Sequence, residues 1–353
     1  MDRVRLGIVG TGRLGGFHAS KAANNAEVDF VGVFDVSETN RKRVANQFNV
    51  AEYDVLSDLL ACVDAVVVAA PSALHAQIGR EVLHAGKHLL MEKPITTSGA
   101  TALELAGIAR EKGLVFQGGH VEQHNPAWRA AVERLDDVRT GLEPVAIEAE
   151  RTSGYTFRST DVGATLDLMI HDLELVLSLI PSKVERVSAL GFSQLGGYED
   201  TAFATLFFEN GSIARFKASR VEQRARRYMT LQTPTKSVQI DFAARSATLV
   251  SPKDDVLNGV YSPASVSLTE MAPRVSTFMQ DEFETIELVH EPVDALALEM
   301  QNFVSAIIRG ERSVVPGDRA ARAVVVAEEI VRDLNARSLR VGTSRRRNLR
   351  IAG

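Results

Sequence analysis

Short apolar runs alternate with amphipathic stretches through the first third of the chain. The runs VRLGIVG, VDFVGVFD, AVVVAAP, HLLMEKP and LVFQGGH have the length of strands, and all but the last are followed by a segment with helical periodicity. Strands that are apolar on both faces are typical of parallel sheets covered by helices on both sides. The pattern therefore predicts an α/β fold that begins with a doubly wound parallel sheet of the Rossmann type.

The pattern changes after Pro126. VAIEAERT predicts a strand, residues 164–180 a helix, and two β runs joined by Asn210-Gly211 a hairpin. YMTLQT, SVQIDF and SATLVS continue the strand pattern, residues 251–290 read as a long irregular loop, and two amphipathic helices close the chain. We therefore expect a C-terminal α+β domain with a large, mostly antiparallel open sheet.

Length and charge limit the number of domains and the kinds of partner that we expect. The 353 residues suggest a dinucleotide-binding domain over 1–120, an α+β substrate-binding and oligomerisation domain over 121–340, and a basic tail over 341–353. A net charge of −5 favours neither nucleic acid nor a membrane as partner. Cys62 is the single cysteine, and the chain shows no signal peptide and no apolar run long enough to span a bilayer. We expect a cytoplasmic protein without an internal disulfide.

A glycine motif follows the first predicted strand. Gly10, Gly12 and Gly15 form a G-x-G-x-x-G pattern at a strand-to-helix turn, and Asp35 ends the second strand about 20 residues on. A carboxylate at this place accepts hydrogen bonds from a ribose 2′-hydroxyl and repels a 2′-phosphate, which favours NAD over NADP. The residues we assign to the cofactor, which come from this turn and from the ends of later strands, are Gly10, Thr11, Gly12, Arg13, Leu14, Asp35, Ala70, Pro71, Ser72, His75, Glu92 and Lys93.

The helix predicted over ATLDLMIHDLELVLSLI carries one polar stripe. Asp167, His171, Glu174 and Ser178 follow one another at intervals of three or four residues on an otherwise apolar helix. Such a stripe faces either a narrow strip of solvent-exposed surface or a cleft. Lys93 ends the strand in LLMEKPIT, at the sheet edge where doubly wound folds bind ligands, and this favours the cleft.

Four motifs together resemble the Gfo/Idh/MocA family of sugar oxidoreductases: GIVGTGRLG, AAPSALHA, AGKHLLMEKPIT and DLMIHDLELV. The resemblance implies an NAD-dependent dehydrogenase that acts on CH–OH groups and forms a homodimer or homotetramer. It also implies that Lys93, Asp167 and His171 line the substrate pocket against the nicotinamide, and that a cis peptide bond precedes Pro94.

The resemblance also implies a chemical role for each of these three side chains. A neutral His171 would accept the proton of a sugar hydroxyl while the carbon gives its hydride to NAD⁺. The ammonium of Lys93 would hydrogen-bond the reacting oxygen. Asp167 would orient the substrate or hold the tautomer of the histidine.

A narrower group, the UDP-N-acetylglucosamine 3-dehydrogenases, is similar in RSTDVGATLDLMIHDLELVLSLI and GGHVEQHNPA. These enzymes oxidise the sugar C3 hydroxyl and commonly read Glu-Arg-Phe-Asn-Pro where this chain has EQHNP, so the arginine and the aromatic are absent. Arg151 and Arg158 are candidates for phosphate contacts. The expected substrate-binding residues are Lys93, His120, Gln123, His124, Asn125, Arg151, Asp167 and His171.

His120 and His124 have the spacing of metal ligands, with Glu122 between them, but no further ligands cluster in the sequence, and we expect no metal. The leading hypothesis is an NAD-dependent oxidation of a nucleotide sugar, with a small-molecule substrate as the partner. The alternatives are a dehydrogenase of another sugar or of inositol, an NAD-dependent glycoside hydrolase, and a non-catalytic NAD-binding sensor.

Overall fold

The computed structural model describes residues 3–157, 159–261, 264, 266–288 and 291–341, and it contains two sheets. The first consists of six parallel strands in the order β3-β2-β1-β4-β5-β6. These strands are β1 (Val4–Val9), β2 (Val28–Phe34), β3 (Ala51–Tyr53), β4 (Ala65–Val68), β5 (His88–Glu92) and β6 (Phe116–Gly119). The doubly wound parallel sheet predicted from the apolar runs is confirmed.

The five helices between these strands are α1 (Arg13–Ala23), α2 (Glu38–Phe48), α3 (Leu56–Cys62), α4 (Ser72–His84) and α5 (Gly99–Glu111). Four of them lie where the sequence predicts them, whereas α3 and the short strand β3 before it were not predicted. The Ser37 side chain caps α2 by accepting a hydrogen bond from the amide of Asn40. The strand order reverses between β1 and β4, so the loops after these strands open a crevice at their carboxyl ends.

The second sheet has eight strands in the order β14-β13-β12-β11-β7-β10-β9-β8. These strands are β7 (Ala146–Thr152), β8 (Val184–Phe192), β9 (Thr201–Phe208), β10 (Ile213–Ser219), β11 (Arg226–Gln232), β12 (Ser237–Asp241), β13 (Ser246–Pro252) and β14 (Phe283–Leu288). All neighbours are antiparallel except β7 and β10, which run parallel. This confirms the mostly antiparallel sheet, and β9 and β10 form the hairpin predicted at Asn210-Gly211, where Gly211 has a φ of 84°.

The remaining helices follow β6 in the chain. They are α6 (Pro126–Val132), α7 (Asp136–Arg139), α8 (Ile170–Leu179), α9 (Asp254–Leu257), α10 (Leu268–Glu282), α11 (Ala295–Arg309) and α12 (Gly317–Val341), with a 3₁₀ turn over Val121–His124. α8 and α12 pack on strands of the second sheet, and α12 also packs on α5 of the first. α11 packs back on α1 and on β1 of the first sheet. One large apolar core therefore runs between the two sheets.

Two parts of the chain after β6 also differ from the sequence prediction. The long loop expected over residues 251–290 instead contains α9, α10 and β14. The helix α10 begins with a capping box between Ser267 and Glu270, and it continues through Pro273. The predicted helix over 164–180 begins as a π-helical turn over Thr165–Met169 and becomes α-helical only at α8.

None of the described helices is long and apolar enough to cross a membrane. Arg158 and nearly all of the predicted basic tail lie outside the described residues.

Candidate active site

In the glycine turn after β1, a ligand can come close to the protein backbone at one glycine. The other two glycines are enclosed by the protein itself. Gly10 has a φ of 87°, and a Cβ there would lie 2.8 Å from the carbonyl of Ala69. A Cβ on Gly15 would lie 1.8 Å from the Gly10 oxygen, whereas one on Gly12 would meet nothing within 4 Å. The open space at Gly12 and the free amides that begin α1 fit a pyrophosphate.

Thr11 and Ser37 hold the Asp35 carboxylate in a fixed orientation. Oδ2 accepts from the amide and hydroxyl of Thr11, at 2.6 and 2.9 Å, and Oδ1 accepts from the amide of Ser37 at 2.8 Å. Each oxygen keeps acceptor capacity for a ribose hydroxyl. Arg41 lies on α2 and donates to the backbone oxygen of Asp35 at 2.9 Å, so its guanidinium is engaged there. The arrangement fits NAD.

The end of β4 and the start of α4 form the next wall of the crevice. Among the residues assigned to the cofactor here, Ala70 and Ser72 are half-buried, Pro71 is exposed and His75 is buried. The two ring nitrogens of His75 lie 2.8 Å from the carbonyl oxygens of Pro94 and Ala70, so this side chain joins the ends of β4 and β5. At the start of α1, Arg13 and Leu14 are exposed.

Lys93 follows β5 and points toward the π-helical turn. The peptide bond between Lys93 and Pro94 is cis, as the resemblance implies. The lysine Nζ donates to the backbone oxygen of Asp167 at 2.6 Å and to its Oδ1 at 3.1 Å. Both side chains remain partly exposed, at 15% and 18%, so the pair is reachable from the crevice. The structure thus brings together two of the three predicted catalytic side chains across 74 positions of sequence.

His120 is buried and His171 is half-buried beside this pair. Their ring centroids lie 6.5 Å apart in an edge-to-face arrangement. Burial, and next the charge of Lys93, lower the pKa of His171 well below its ordinary value. The same two causes lower the pKa of His120 to about 3. Nδ1 of His171 and both ring nitrogens of His120 have no hydrogen-bond partner among the described residues, so these neutral rings are free to bind a polar ligand.

Most residues of the EQHNP motif make hydrogen bonds within the protein. Arg151 is buried and donates to both oxygens of Asp172, with Nη2 2.7 Å from Oδ1, and its Nη1 donates to Glu122 at 2.8 Å. The amide of Asn125 donates to Glu122 at 3.0 Å. Burial opposes the charge of Arg151, but Asp172 and Glu122 raise its pKa, so the guanidinium stays a cation within this network. Both side chains are thus engaged within the protein, and their contact with substrate stays a prediction.

Gln123 is also engaged within the protein. Its amide nitrogen donates to Glu174 at 2.8 Å and to Ser178 at 2.9 Å, and its oxygen accepts from the indole of Trp128. Glu174 accepts further from Arg319. The predicted polar stripe thus divides: its first half faces Lys93, and its second half forms a buried network, because the π-helical turn changes the spacing between them.

His124 differs from its neighbours in the motif. It is buried, its Nε2 has no partner among the described residues, and burial lowers its pKa to about 4. His124 in the motif and His120, two residues before it, retain unpartnered ring nitrogens within the described structure.

Sequence reasoning missed one buried group near the crevice. His18 on α1 and Glu299 on α11 lie against Glu92, and their ligand atoms are within 4.8 Å of one another. Among the described residues, these three side chains form the group whose ligand atoms lie close enough together to hold a metal ion. A glutamate in the apolar stretch ALALEMQNFVSA was the available signal, because a charged residue inside a buried helix face needs a partner.

A Rossmann crevice that presents a lysine and a neutral histidine beyond its strand ends defines an oxidoreductase with a dinucleotide cofactor. Residues 4–120 match the oxidoreductase family with an NAD-binding Rossmann fold, and residues 139–239 match the C-terminal domain of the same family. The chain belongs to the Gfo/Idh/MocA family. It is an NAD-binding oxidoreductase, and its relatives place it among the sugar dehydrogenases of that family.

One similar relative is the UDP-N-acetylglucosamine 3-dehydrogenase of Acidithiobacillus ferrooxidans, which is 31% identical over 94% of this chain and 97% of its own length. A solved structure of that enzyme has a TM-score of 0.79 over 95% of this chain and 99% of its own. The scyllo-inositol 2-dehydrogenase (NAD(+)) of Bacillus subtilis is 26% identical over 62% of this chain and 68% of its own. The likeness therefore spans both sheets.

Proposed function

We propose that this protein oxidises a secondary hydroxyl of a nucleotide sugar, the C3 hydroxyl of UDP-N-acetylglucosamine, with NAD⁺ as the oxidant. The observation that carries the proposal is the neutral His171 beside the ammonium of Lys93, at the strand ends where the crevice opens. The choice of sugar is supported by the relative of A. ferrooxidans, which bears this activity in its name and matches nearly the full length of both chains.

The protein residues supply the acid–base part of this reaction. Bound NAD⁺ provides the acceptor for the hydride. A ring nitrogen of His171 accepts the hydroxyl proton, because the lowered pKa keeps the imidazole neutral at neutral pH. Lys93 donates a hydrogen bond to the reacting oxygen and stabilises the negative charge that develops there. Asp167 orients Lys93 through two contacts, and His120 offers unpartnered nitrogens to a neighbouring group of the sugar.

The proposal is tested by NADH absorbance with purified protein, NAD⁺, UDP-N-acetylglucosamine and a trap for the keto product. We expect a signal that depends on the sugar and falls by at least about a thousandfold in His171→Ala, while NAD⁺ still binds. His84→Ala is the matched control, because this histidine ends α4 on the protein surface. Turnover that survives both His171→Ala and Lys93→Ala would disprove the mechanism.

A second candidate, NAD-dependent glycoside hydrolysis, uses the same proton and hydride chemistry but regenerates the cofactor in each turnover. Lys93 and His171 suit either reaction. Release of one NADH per sugar consumed supports the dehydrogenase, whereas glycoside cleavage without net NADH supports the hydrolase.

We further propose that the protein assembles as a homodimer or homotetramer through the outer face of its second sheet. Leu190 on β8 and Phe203 on β9 are direct cross-strand partners and are 45% and 41% exposed. Phe192, at the end of β8, is 50% exposed. Apolar side chains exposed side by side on a sheet are typical of interfaces.

A further inference from the structure

Three ionisable side chains form a buried cluster below the crevice, and the reaction proposed above does not use them. The acid–histidine cluster consists of His18 on α1, Glu92 at the end of β5 and Glu299 on α11. His18 and Glu299 are fully buried and Glu92 is 7% exposed. Nε2 of His18 lies 2.7 Å from Oε1 of Glu92, and the ligand atoms of all three lie within 4.8 Å of one another.

The cluster places two carboxyl groups and one histidine in a dry site, where Glu92 pairs with His18. Neither oxygen of Glu299 has a hydrogen-bond partner among the described residues. The nearest lysine in sequence, Lys93, directs its ammonium to Asp167 instead. Two neighbouring carboxylates in a low dielectric do not both ionise, so the pair needs either a bound cation or a proton.

The geometry favours a proton over a metal ion. Two ligands held tetrahedrally about 2.0–2.2 Å from one ion lie roughly 3.3–3.6 Å apart. The distance of 2.7 Å between His18 and Glu92 is shorter and has the length of a charge-assisted hydrogen bond. In this structure the two atoms are therefore hydrogen-bonded to each other, at a distance too short for two ligands of one ion.

We propose that Glu299 is a neutral carboxylic acid that donates a hydrogen bond to Glu92 and thereby acts as a positioning residue for Lys93. Burial, and next the charge of Glu92, raise the pKa of Glu299 well above its usual range, in keeping with this assignment. The role in positioning rests on the proposed function of Lys93.

Glu92 is the link between the cluster and the lysine. Its Oε2 accepts a hydrogen bond from the backbone amide of Lys93 at 3.2 Å, while Oε1 is bound by His18. Glu299 is itself fixed on α11, where Gln117 donates to its backbone oxygen at 3.1 Å. A proton on Glu299 replaces repulsion between the two carboxyl groups with attraction. The cluster then joins the cofactor helix α1, the lysine and α11 at one point.

The pair of variants Glu299→Gln and Glu299→Leu separates this role from simple packing. The amide of glutamine can donate to Glu92 as the acid does, so turnover should stay within about fivefold of wild type. Leucine fills the space without a donor, so kcat should fall about ten- to a hundredfold while the KM for NAD⁺ and the melting temperature are maintained. Equal losses in the two variants would overturn the proposal.

The proton itself can be observed without any substrate. Infrared difference spectra should show the carbonyl band of a protonated carboxylic acid at neutral pH that disappears in Glu299→Gln. A wild-type protein without that band, or a stoichiometric metal that is lost in Glu299→Gln, would overturn the assignment. Because this readout needs no turnover, its failure is distinguishable from a failure of the proposed sugar oxidation.

Discussion

A histidine that acts as a general base must be neutral at the working pH. Burial and the charge of Lys93 lower the pKa of His171 well below 6.5, so its folded state binds fewer protons than the unfolded chain at mildly acidic pH. We expect the ring signals of His171 in NMR to show no titration between pH 7.5 and about 5.5, with His171→Asn identifying the resonance.

The variant Lys93→Met removes the second cause of this shift and should move the titration of His171 toward higher pH. Lys93→Arg retains the charge and should leave the titration low. A His171 signal that titrates near pH 6.5 in the wild type would contradict the neutral base in the resting protein.

Cofactor choice also depends on a single side chain. Because Asp35 is fixed by Thr11 and Ser37, its remaining acceptor capacity is directed outward for a ribose. Asp35→Ala should weaken NAD⁺ binding about ten- to a hundredfold and weaken NADP⁺ binding less, since the repulsion of a 2′-phosphate is removed. Titration calorimetry with both cofactors measures this.

Thr11→Val serves as a graded comparison, because it removes the hydroxyl bond to Asp35 and keeps the backbone one. Its loss of NAD⁺ affinity should be smaller than that of Asp35→Ala and in the same direction. Unchanged discrimination between the two cofactors in Asp35→Ala would argue against this carboxylate as the selective group.

Among the elements, β7, α8 and the 3₁₀ turn are joined by the buried ion network of Arg151. Removing one partner of such a network leaves buried charge uncompensated, so Arg151→Met should lower the free energy of unfolding by about 3–5 kcal/mol. The KM for sugar should change little, because the guanidinium is occupied by Asp172 and Glu122. Urea unfolding measures the free energy of unfolding, and steady-state kinetics on the folded fraction measure the KM for sugar.

The control for this variant is Arg226→Met. Arg226 is half-exposed and pairs with Glu150 on the surface, where an ion pair contributes up to about 1 kcal/mol. An Arg151→Met variant that is as stable as Arg226→Met but binds sugar weakly would return Arg151 to the substrate site.

The sequence predicted the elements that local periodicity encodes. Five of the six parallel strands, the hairpin at Asn210-Gly211 and the cap at Ser37 follow from neighbours in the chain, whereas the three-residue β3 was missed. The α10 helix was not predicted, and Pro273 inside it is a residue type that normally interrupts a helix. The π-helical turn was missed because apolar spacing does not distinguish it from an α-helix.

The same limit applies to the site. The glycines, Asp35, Lys93 and His171 could be named because each belongs to a motif or to a polar position in an apolar context. The partners of Gln123, Arg151 and Glu299 could not, because these contacts join residues 21 to 207 positions apart or depend on how α8 and α11 pack. Residue type thus indicated which polar side chains could belong to a site. Only the packing distinguished side chains that are engaged within the protein from those that are free to contact a ligand.

At the scale of the whole molecule, the second sheet is covered by helices on one face and carries Leu190, Phe192 and Phe203 on the other. Neighbouring charges on that face pair within the chain, as Lys217 does with Glu150 and Glu222. An outer face with apolar side chains at one end and internally paired charges at its centre is suited to contact a second copy of itself, because a two-fold axis brings like patches together.

Phe203→Glu tests this assembly. Lys217 is the cross-strand neighbour of Phe203 on β10, so a glutamate is tolerated within one chain, but its carboxylate would be desolvated in an interface between copies. We expect light scattering to show a homodimer or homotetramer for the wild type and a smaller species for the variant. Val275→Glu, at an 80% exposed position of α10, should leave the assembly unchanged. Because Lys93, Asp167 and His171 all come from one chain, the smaller species should retain NADH formation; an unchanged mass in Phe203→Glu would place the interface elsewhere.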